Sequence, residues 1–188
     1  MKILMHNILG LRFKSACHCL LVVASVVMLA SCHSSKSVYY KNVDMRELAR
    51  AGLALGFDIG EDDEWALMIE SAKWLGTPYR SGGNSKSGVD CSGLTVQIFQ
   101  TVYGKSLHRR SLDQYEQDCK RVGDNSLKCG DLVFFATSGK VKRKNINHVG
   151  IYLKDNLFIH ASSSRGVVVD NLNSRYYVDR WIGGGRVK

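Results

Sequence analysis

Three side chains in this 188-residue chain have the types and the neighbours needed for covalent chemistry: Cys91, His148 and His160. Cys91 stands in the run Val89-Asp90-Cys91-Ser92-Gly93-Leu94, directly after a Gly/Ser-rich stretch over residues 81–88. Leu94, Ile98 and Val102 then recur at helical spacing, which predicts a helix over 91–103 ending at Gly104, with the thiol in its first turn. The reactive form of cysteine is the thiolate. Free amides and the dipole of a helix N-terminus favour that anion, so a lowered thiol pKa is expected. The same amides suit the oxyanion formed in acyl transfer. A cysteine at a helix start is by itself more often structural, so the assignment needs a base.

The histidines supply one. Val149, Ile151 and Leu153 alternate along one predicted strand and leave His148, Gly150 and Tyr152 on its other face. Leu157, Ile159 and Ala161 alternate on the next, leaving Phe158 and His160 opposite. Matching the apolar faces pairs 153 with 157, 151 with 159 and 149 with 161, across a three-residue loop Lys154-Asp155-Asn156. Gly150 then faces His160, and His148 and His160 become diagonal neighbours on one face. A two-residue loop would slip the pairing by one and separate them. With both on one face, His148 can take the Cys91 proton and His160 can orient the His148 ring. His6, His18, His33 and His108 have no comparable setting. No CxxC spacing or third ligand beside the histidine pair suggests a metal, and no cofactor is expected.

The elements that must position these groups follow from periodicity. A short helix is predicted over 44–56, and a second, capped by Asp62 or Asp63, carries Trp65, Met68, Ile69, Ala72 and Leu75 up to Gly76-Thr77-Pro78. A short fourth helix opens at Ser111. Strands are predicted for 132–136, 148–153, 157–161, 167–172 and 180–187. Helices first and an antiparallel sheet after them make an α+β fold.

Trp74-Leu75-Gly76-Thr77-Pro78-Tyr79-Arg80-Ser81-Gly82-Gly83, Asp90-Cys91-Ser92-Gly93-Leu94, Gly130-Asp131-Leu132-Val133-Phe134-Phe135, and His148-Val149-Gly150-Ile151-Tyr152-Leu153 with Ile159-His160-Ala161 resemble the NlpC/P60 family of cell-wall endopeptidases, in consistent order over residues 62–187. The resemblance implies a papain-like core, N-terminal helices on a C-terminal antiparallel sheet, and hydrolysis of amide bonds in peptidoglycan stem peptides. It makes Cys91 the nucleophile, His148 the base and His160 the orienting residue. Tyr79 resembles a tyrosine whose hydroxyl lies near the nucleophile, and Asp90 and Ser92 resemble positions that in some members bind the free amine of an N-terminal L-Ala. On their own chemistry, Tyr79 also reads as loop packing, Asp90 as a helix N-cap and Ser92 as a first-turn residue. The chain departs from the family at Cys129-Gly130-Asp131, where a proline usually precedes Gly-Asp, and it has no recognisable SH3-like wall-binding domain. Single-domain lipoprotein relatives cut cross-links between stems, so the expected bond lies beside a diamino acid: γ-D-Glu–diamino acid or D-Ala–diamino acid. The rival readings are a CHAP-type amidase and a catalytically silent, lipid-tethered wall-binding protein.

Composition fits that setting. At 45% hydrophobic and 23% charged, with one Pro, the chain reads as one globular domain after an export segment. Lys2, Arg12 and Lys14 precede an apolar run, Leu20 to Ala30, too short to span a bilayer but suited to a signal peptide. The run ends in Leu29-Ala30-Ser31-Cys32, which resembles the bacterial lipobox with Cys32 as lipidation site. The expected organisation is a signal peptide over 1–31, a lipid tether and short helix over 32–61, and a peptidase domain over 62–188. The chain is expected to be exported and lipid-anchored, on the periplasmic side of the outer membrane in a Gram-negative cell, because His33 replaces the Asp that often signals inner-membrane retention. Cleavage removes three basic residues and no acidic one, so 26 Lys+Arg against 17 Asp+Glu becomes 23 against 17. That modest excess suits an anionic polymer or membrane face. No nucleic-acid motif is present, and a monomer is expected. Cys119 and Cys129 either pair after export or remain buried thiols.

Overall fold

Local capping chemistry sets the helix ends in the computed structural model, which describes residues 43–188; the signal peptide, Cys32 and the tether up to residue 42 lie outside the described residues. Helix α1 (Met45–Leu55) starts where the Asp44 carboxylate accepts the Arg46 N–H at 2.9 Å and stops at Gly56, φ 84°. It packs on α2 (Trp65–Trp74), so the packed unit runs from Asp44 to Lys188 and begins upstream of residue 62. Neither Asp62 nor Asp63 occupies the N-cap position of α2. Glu64 holds the N-cap position, while Asp63 accepts the Gly60 N–H at 2.7 Å and ion-pairs with Lys154 at 2.8 Å. A small hairpin, β1 (Asn84–Ser85) and β2 (Gly88–Val89), forms within the Gly/Ser stretch. Helix α3 (Cys91–Tyr103) follows and ends at Gly104, as its sequence pattern predicts. The short α4 (Ser111–Asp113) widens into a single loose turn over Gln114–Asp118.

The remaining chain is mostly an antiparallel sheet: β3 (Cys119–Val122), β4 (Leu132–Phe135), β5 (His148–Lys154), β6 (Leu157–Ser162), β7 (Gly166–Asn171) and β8 (Trp181–Val187), in the order β3-β8-β4-β5-β6-β7. A short helix α5 (Arg175–Val178) links β7 to β8. Helices precede the sheet, and the class is α+β. Strand β3 was not expected; its four residues, Cys-Lys-Arg-Val, form a sheet edge with little apolar alternation to mark it.

Both faces of the sheet are covered. Val149, Ile151, Leu153, Ile159 and Ala161 turn to one face and join Leu94 and Ile98 of α3 and Leu67 and Met68 of α2 in the main core. Each of the larger buried side chains among these contributes roughly 1.5–3 kcal/mol of transfer free energy. The opposite face carries a smaller cluster of Val133, Phe135, Phe158 and Tyr177. The β5–β6 hairpin differs from expectation at its tip. Its turn is two residues, Asp155-Asn156, both left-handed at φ 50° and 61°, with Lys154 paired to Leu157. The predicted pairing of Ile151 with Ile159 nevertheless holds, because the register shifts between Tyr152 and Lys154 and leaves Leu153 as an extra, bulged residue.

Candidate active site

Asp90 builds the thiol side. Its Oδ1 accepts the Gly93 N–H at 2.7 Å, capping α3 and presenting Cys91 at the first helical position. Gly93 is required there, since a Cβ would stand 2.2 Å from the Gly83 carbonyl oxygen of the preceding loop. The Cys91 side chain is buried, and its Sγ makes a long 3.8 Å contact to the Asn147 carbonyl, just before His148. Burial raises the thiol pKa, and the N–H groups of Val149, Ser92 and Cys91 itself only partly counter it. The expected lowering by the helix start is therefore outweighed by desolvation: at rest the thiol keeps its proton, and a base must remove it.

His148 opens β5 and His160 lies near the end of β6, on one face as the register predicts. Gly150 makes room between them, because a Cβ there would meet the Phe158 ring at 2.6 Å and the His160 Cβ at 3.2 Å. His148 Nε2 lies 2.9 Å from His160 Nδ1. Burial, then the neighbouring His160, push the His148 pKa down to about 3, against a smaller opposing effect of Asp170. The imidazole is neutral at pH 7 and able to accept a proton through Nδ1. His160 is almost fully buried, stacked on Phe158 at 4.9 Å, and its Nε2 lies 2.9 Å from Asp170 Oδ2 and 3.0 Å from the Tyr177 hydroxyl. Cys91, His148, His160 and Tyr79 line one cleft of about 570 Å³. The Tyr79 phenol is 37% exposed, and burial, Cys91 and Asp90 raise its pKa.

Asp90 and Ser92 are placed differently. Neither is among the residues lining that cleft. The two Nη atoms of Arg109 donate to the two Asp90 oxygens at 2.8 and 2.6 Å, Gly82 N–H donates to Oδ2 at 2.8 Å, and Arg109 Nη1 also reaches Ser92 Oγ at 2.8 Å. Burial disfavours the Asp90 charge, but Arg109 and the two amides more than offset it and hold the carboxyl below the usual range. An incoming ammonium would have to displace Arg109 from a carboxylate whose acceptor sites are occupied. Cys119 and Cys129 are unpaired thiols, each pushed up to about 12 by burial.

The sequence reading missed Arg109, Arg165, Asp170 and Tyr177. Asp170 was reachable in principle: the pairing of Phe158 with Asp170 and His160 with Val168 puts Asp170 diagonal to His160 on the same face. The run Val167-Val168-Val169 hides that register, because an unbroken apolar stretch marks no face.

A thiol at a helix start, set in a cleft with two hydrogen-bonded imidazoles on an antiparallel sheet, is an arrangement that could serve as nucleophile and base in acyl transfer. The chain belongs to the NlpC/P60 family, whose family model matches residues 76–186. It is 32% identical over 173 residues to the murein DD-endopeptidase MepS/murein LD-carboxypeptidase of Escherichia coli K12, covering 88% of this chain and 89% of that one. A solved NLP/P60 structure from Staphylococcus aureus, described as similar to lipoprotein, is 37% identical with a TM-score of 0.56 and covers 65% of this chain and 40% of that one. RipD of Mycobacterium tuberculosis, described as a non-catalytic NlpC/p60 domain protein adapted to peptidoglycan binding, shares the fold at 19% identity and a TM-score of 0.54, covering 65% of this chain and 95% of that one. The fold alone therefore does not separate an enzyme from a binder; the side chains must.

Proposed function

We propose that the protein is a cysteine endopeptidase that hydrolyses amide bonds in peptidoglycan stem peptides or their cross-links, beside a diamino acid. The observation that carries this reading is the 2.9 Å bond between His148 Nε2 and His160 Nδ1, which leaves the other His148 nitrogen for a thiol in the same cleft. In the reaction, Cys91 Sγ attacks the amide carbon while its proton passes to His148 Nδ1. The N–H groups at the start of α3 face the developing oxyanion. His148 then protonates the leaving nitrogen, the C–N bond breaks, and a thioester remains. Water attacks the thioester, giving one proton to His148 and from there to the departing sulfur, and a carboxylic acid leaves.

The similarity to a murein DD-endopeptidase over nearly the full chain supports a wall-peptide substrate, and the Leu29-Ala30-Ser31-Cys32 run supports export and lipid attachment at Cys32, on the outer membrane in a Gram-negative cell. Among the described residues no helix is long and apolar enough to cross a membrane. The experiment is digestion of purified muropeptides followed by mass spectrometry. An endopeptidase creates new amines on the diamino acid, whereas an amidase creates them on the sugar-proximal alanine. Full turnover by a Cys91→Ala protein would sink the covalent mechanism. A wall-binding protein with a silent site, the role RipD is described as having, would retain affinity for peptidoglycan and release no fragments.

A further inference from the structure

His160 is itself held, and what holds it fixes where the protons sit. Two imidazoles joined by one N–H···N bond, each carrying one ring proton, admit two arrangements. In the first, His148 Nε2–H donates to His160 Nδ1, and His148 Nδ1 keeps the lone pair that accepts the thiol proton. In the second, His160 Nδ1–H donates to His148 Nε2, which moves the His148 proton to Nδ1 and removes the base. The His160 ring is packed between Phe158 and Tyr177, with centroids 4.9 and 5.6 Å away, and cannot swing to another partner. The choice therefore falls to whatever faces its Nε2.

What faces it is an acceptor. Asp170 Oδ2 lies 2.9 Å from His160 Nε2, and an ionised carboxylate can only accept. Tyr177 donates its hydroxyl hydrogen to the same Oδ2 at 2.7 Å, so that hydrogen is not offered to His160. Arg165, in the turn between β6 and β7, donates to both Asp170 oxygens. Burial opposes the Asp170 charge, yet the donors His160, Arg165 and Tyr177 together hold its carboxyl well below the ordinary range. Asp90 and Tyr79, whose charges couple to Cys91, lie on the thiol side of the site.

We propose that Asp170, kept ionised by Arg165 and Tyr177, is a positioning residue that forces His160 into its Nε2–H tautomer and thereby leaves the His148 Nδ1 lone pair free for Cys91. The proposal rests on the cysteine-peptidase reading for its consequence, but not for its test. The test is the tautomeric state of both rings, read from ¹⁵N shifts and two-bond ¹⁵N–¹H couplings at neutral pH in histidine-labelled Cys91→Ala protein, which needs no substrate. With Asp170 present, both rings are expected as Nε2–H. In Asp170→Ala, Tyr177 loses its acceptor and turns its hydroxyl hydrogen to His160 Nε2, so His148 is expected to shift to the Nδ1–H form. Adding Tyr177→Phe should then relax both rings to a mixture. If Asp170→Ala does not fold, Asp170→Asn with Arg165→Gln is read instead and is expected to give the mixture directly. Unchanged tautomers in the folded variant overturn the proposal. In the protein with Cys91 restored, the expected kinetic counterpart is a kcat reduced about 10–100-fold, the scale of orienting groups one contact removed from a histidine's working nitrogen, with KM little changed. A fall in Tm with kcat and tautomers intact would mark Asp170 as merely structural and also overturn it.

Discussion

Two aspartate–arginine pairs flank the cleft and do different work. Asp90 with Arg109 sits under the thiol, and half of the Asp90 donors are main-chain amides, Gly82 and Gly93, so the pair ties a loop to a helix start. Asp170 with Arg165 sits behind the imidazoles, and its remaining donors are the His160 ring and the Tyr177 hydroxyl. The same ion pair is architectural when its neighbours are backbone and directs protons when its neighbour is a ring with two nitrogens. The partners, more than the charges, decide which.

That contrast can be attacked by mutation, beginning with the groups both pairs serve. Cys91→Ala should lower muropeptide turnover by at least about 10⁴-fold, with melting temperature nearly unchanged, as loss of a nucleophile does in other covalent hydrolases. A variant keeping more than a small fraction of activity would leave neither pair with a catalytic group to support. Gly150→Ala comes next. A Cβ there strikes Phe158 and crowds His160, so the hydrogen-bonded pair should separate, and activity should fall about tenfold or more for a destabilisation of about 1–3 kcal/mol. Differential scanning fluorimetry alongside turnover checks both halves.

Asp90→Ala is the direct counterpart of Asp170→Ala. Loss of a cap costs about 0.5–2 kcal/mol, so Tm should drop by several degrees while the His148 and His160 tautomers stay as they are. A tautomer shift in Asp90→Ala would erase the distinction drawn between the two pairs. The smallest effect is in pH dependence. Both aspartates have pKa values depressed below the unfolded range, so their contribution to stability is complete above about pH 4 and is lost as pH falls through the folded values. Melting temperature should therefore decline below about pH 4 in the parent, and the decline should be shallower in Asp90→Asn and Asp170→Asn.

The thiol side was largely legible in the sequence because its determinants are local. The cap, the Cys91 thiol and the terminating Gly104 lie within fifteen residues of one another, and capping and periodicity speak at that range. The His148–His160 face was legible because alternation on β5 and β6 is clean. The turn length was not, since a bulge at Leu153 and two left-handed residues do the work assigned to a three-residue loop. The far end of the proton chain was hidden for a different reason. Asp170 follows three consecutive valines, and Tyr177 sits on a four-residue helix whose placement depends on the packed sheet. The sign of the Cys91 shift was missed because burial is a property of the whole fold, while the helix start is a property of the segment.

The Leu153 bulge has a genetic consequence. A strand repeats every two residues, so a single-codon insertion or deletion within its regular pairing inverts the face of everything beyond it, while one at a bulge or turn is absorbed there. Here the reading of the hairpin is already offset once, at Leu153, and restored by the shortness of the turn. Removing Leu153 alone should leave a regular two-residue hairpin, with Ile151 still opposite Ile159 and both histidines on one face. The tip of this hairpin can therefore change length by one residue, at the bulge or in the turn, without moving the site, whereas the stretches His148–Tyr152 and Phe158–His160 cannot.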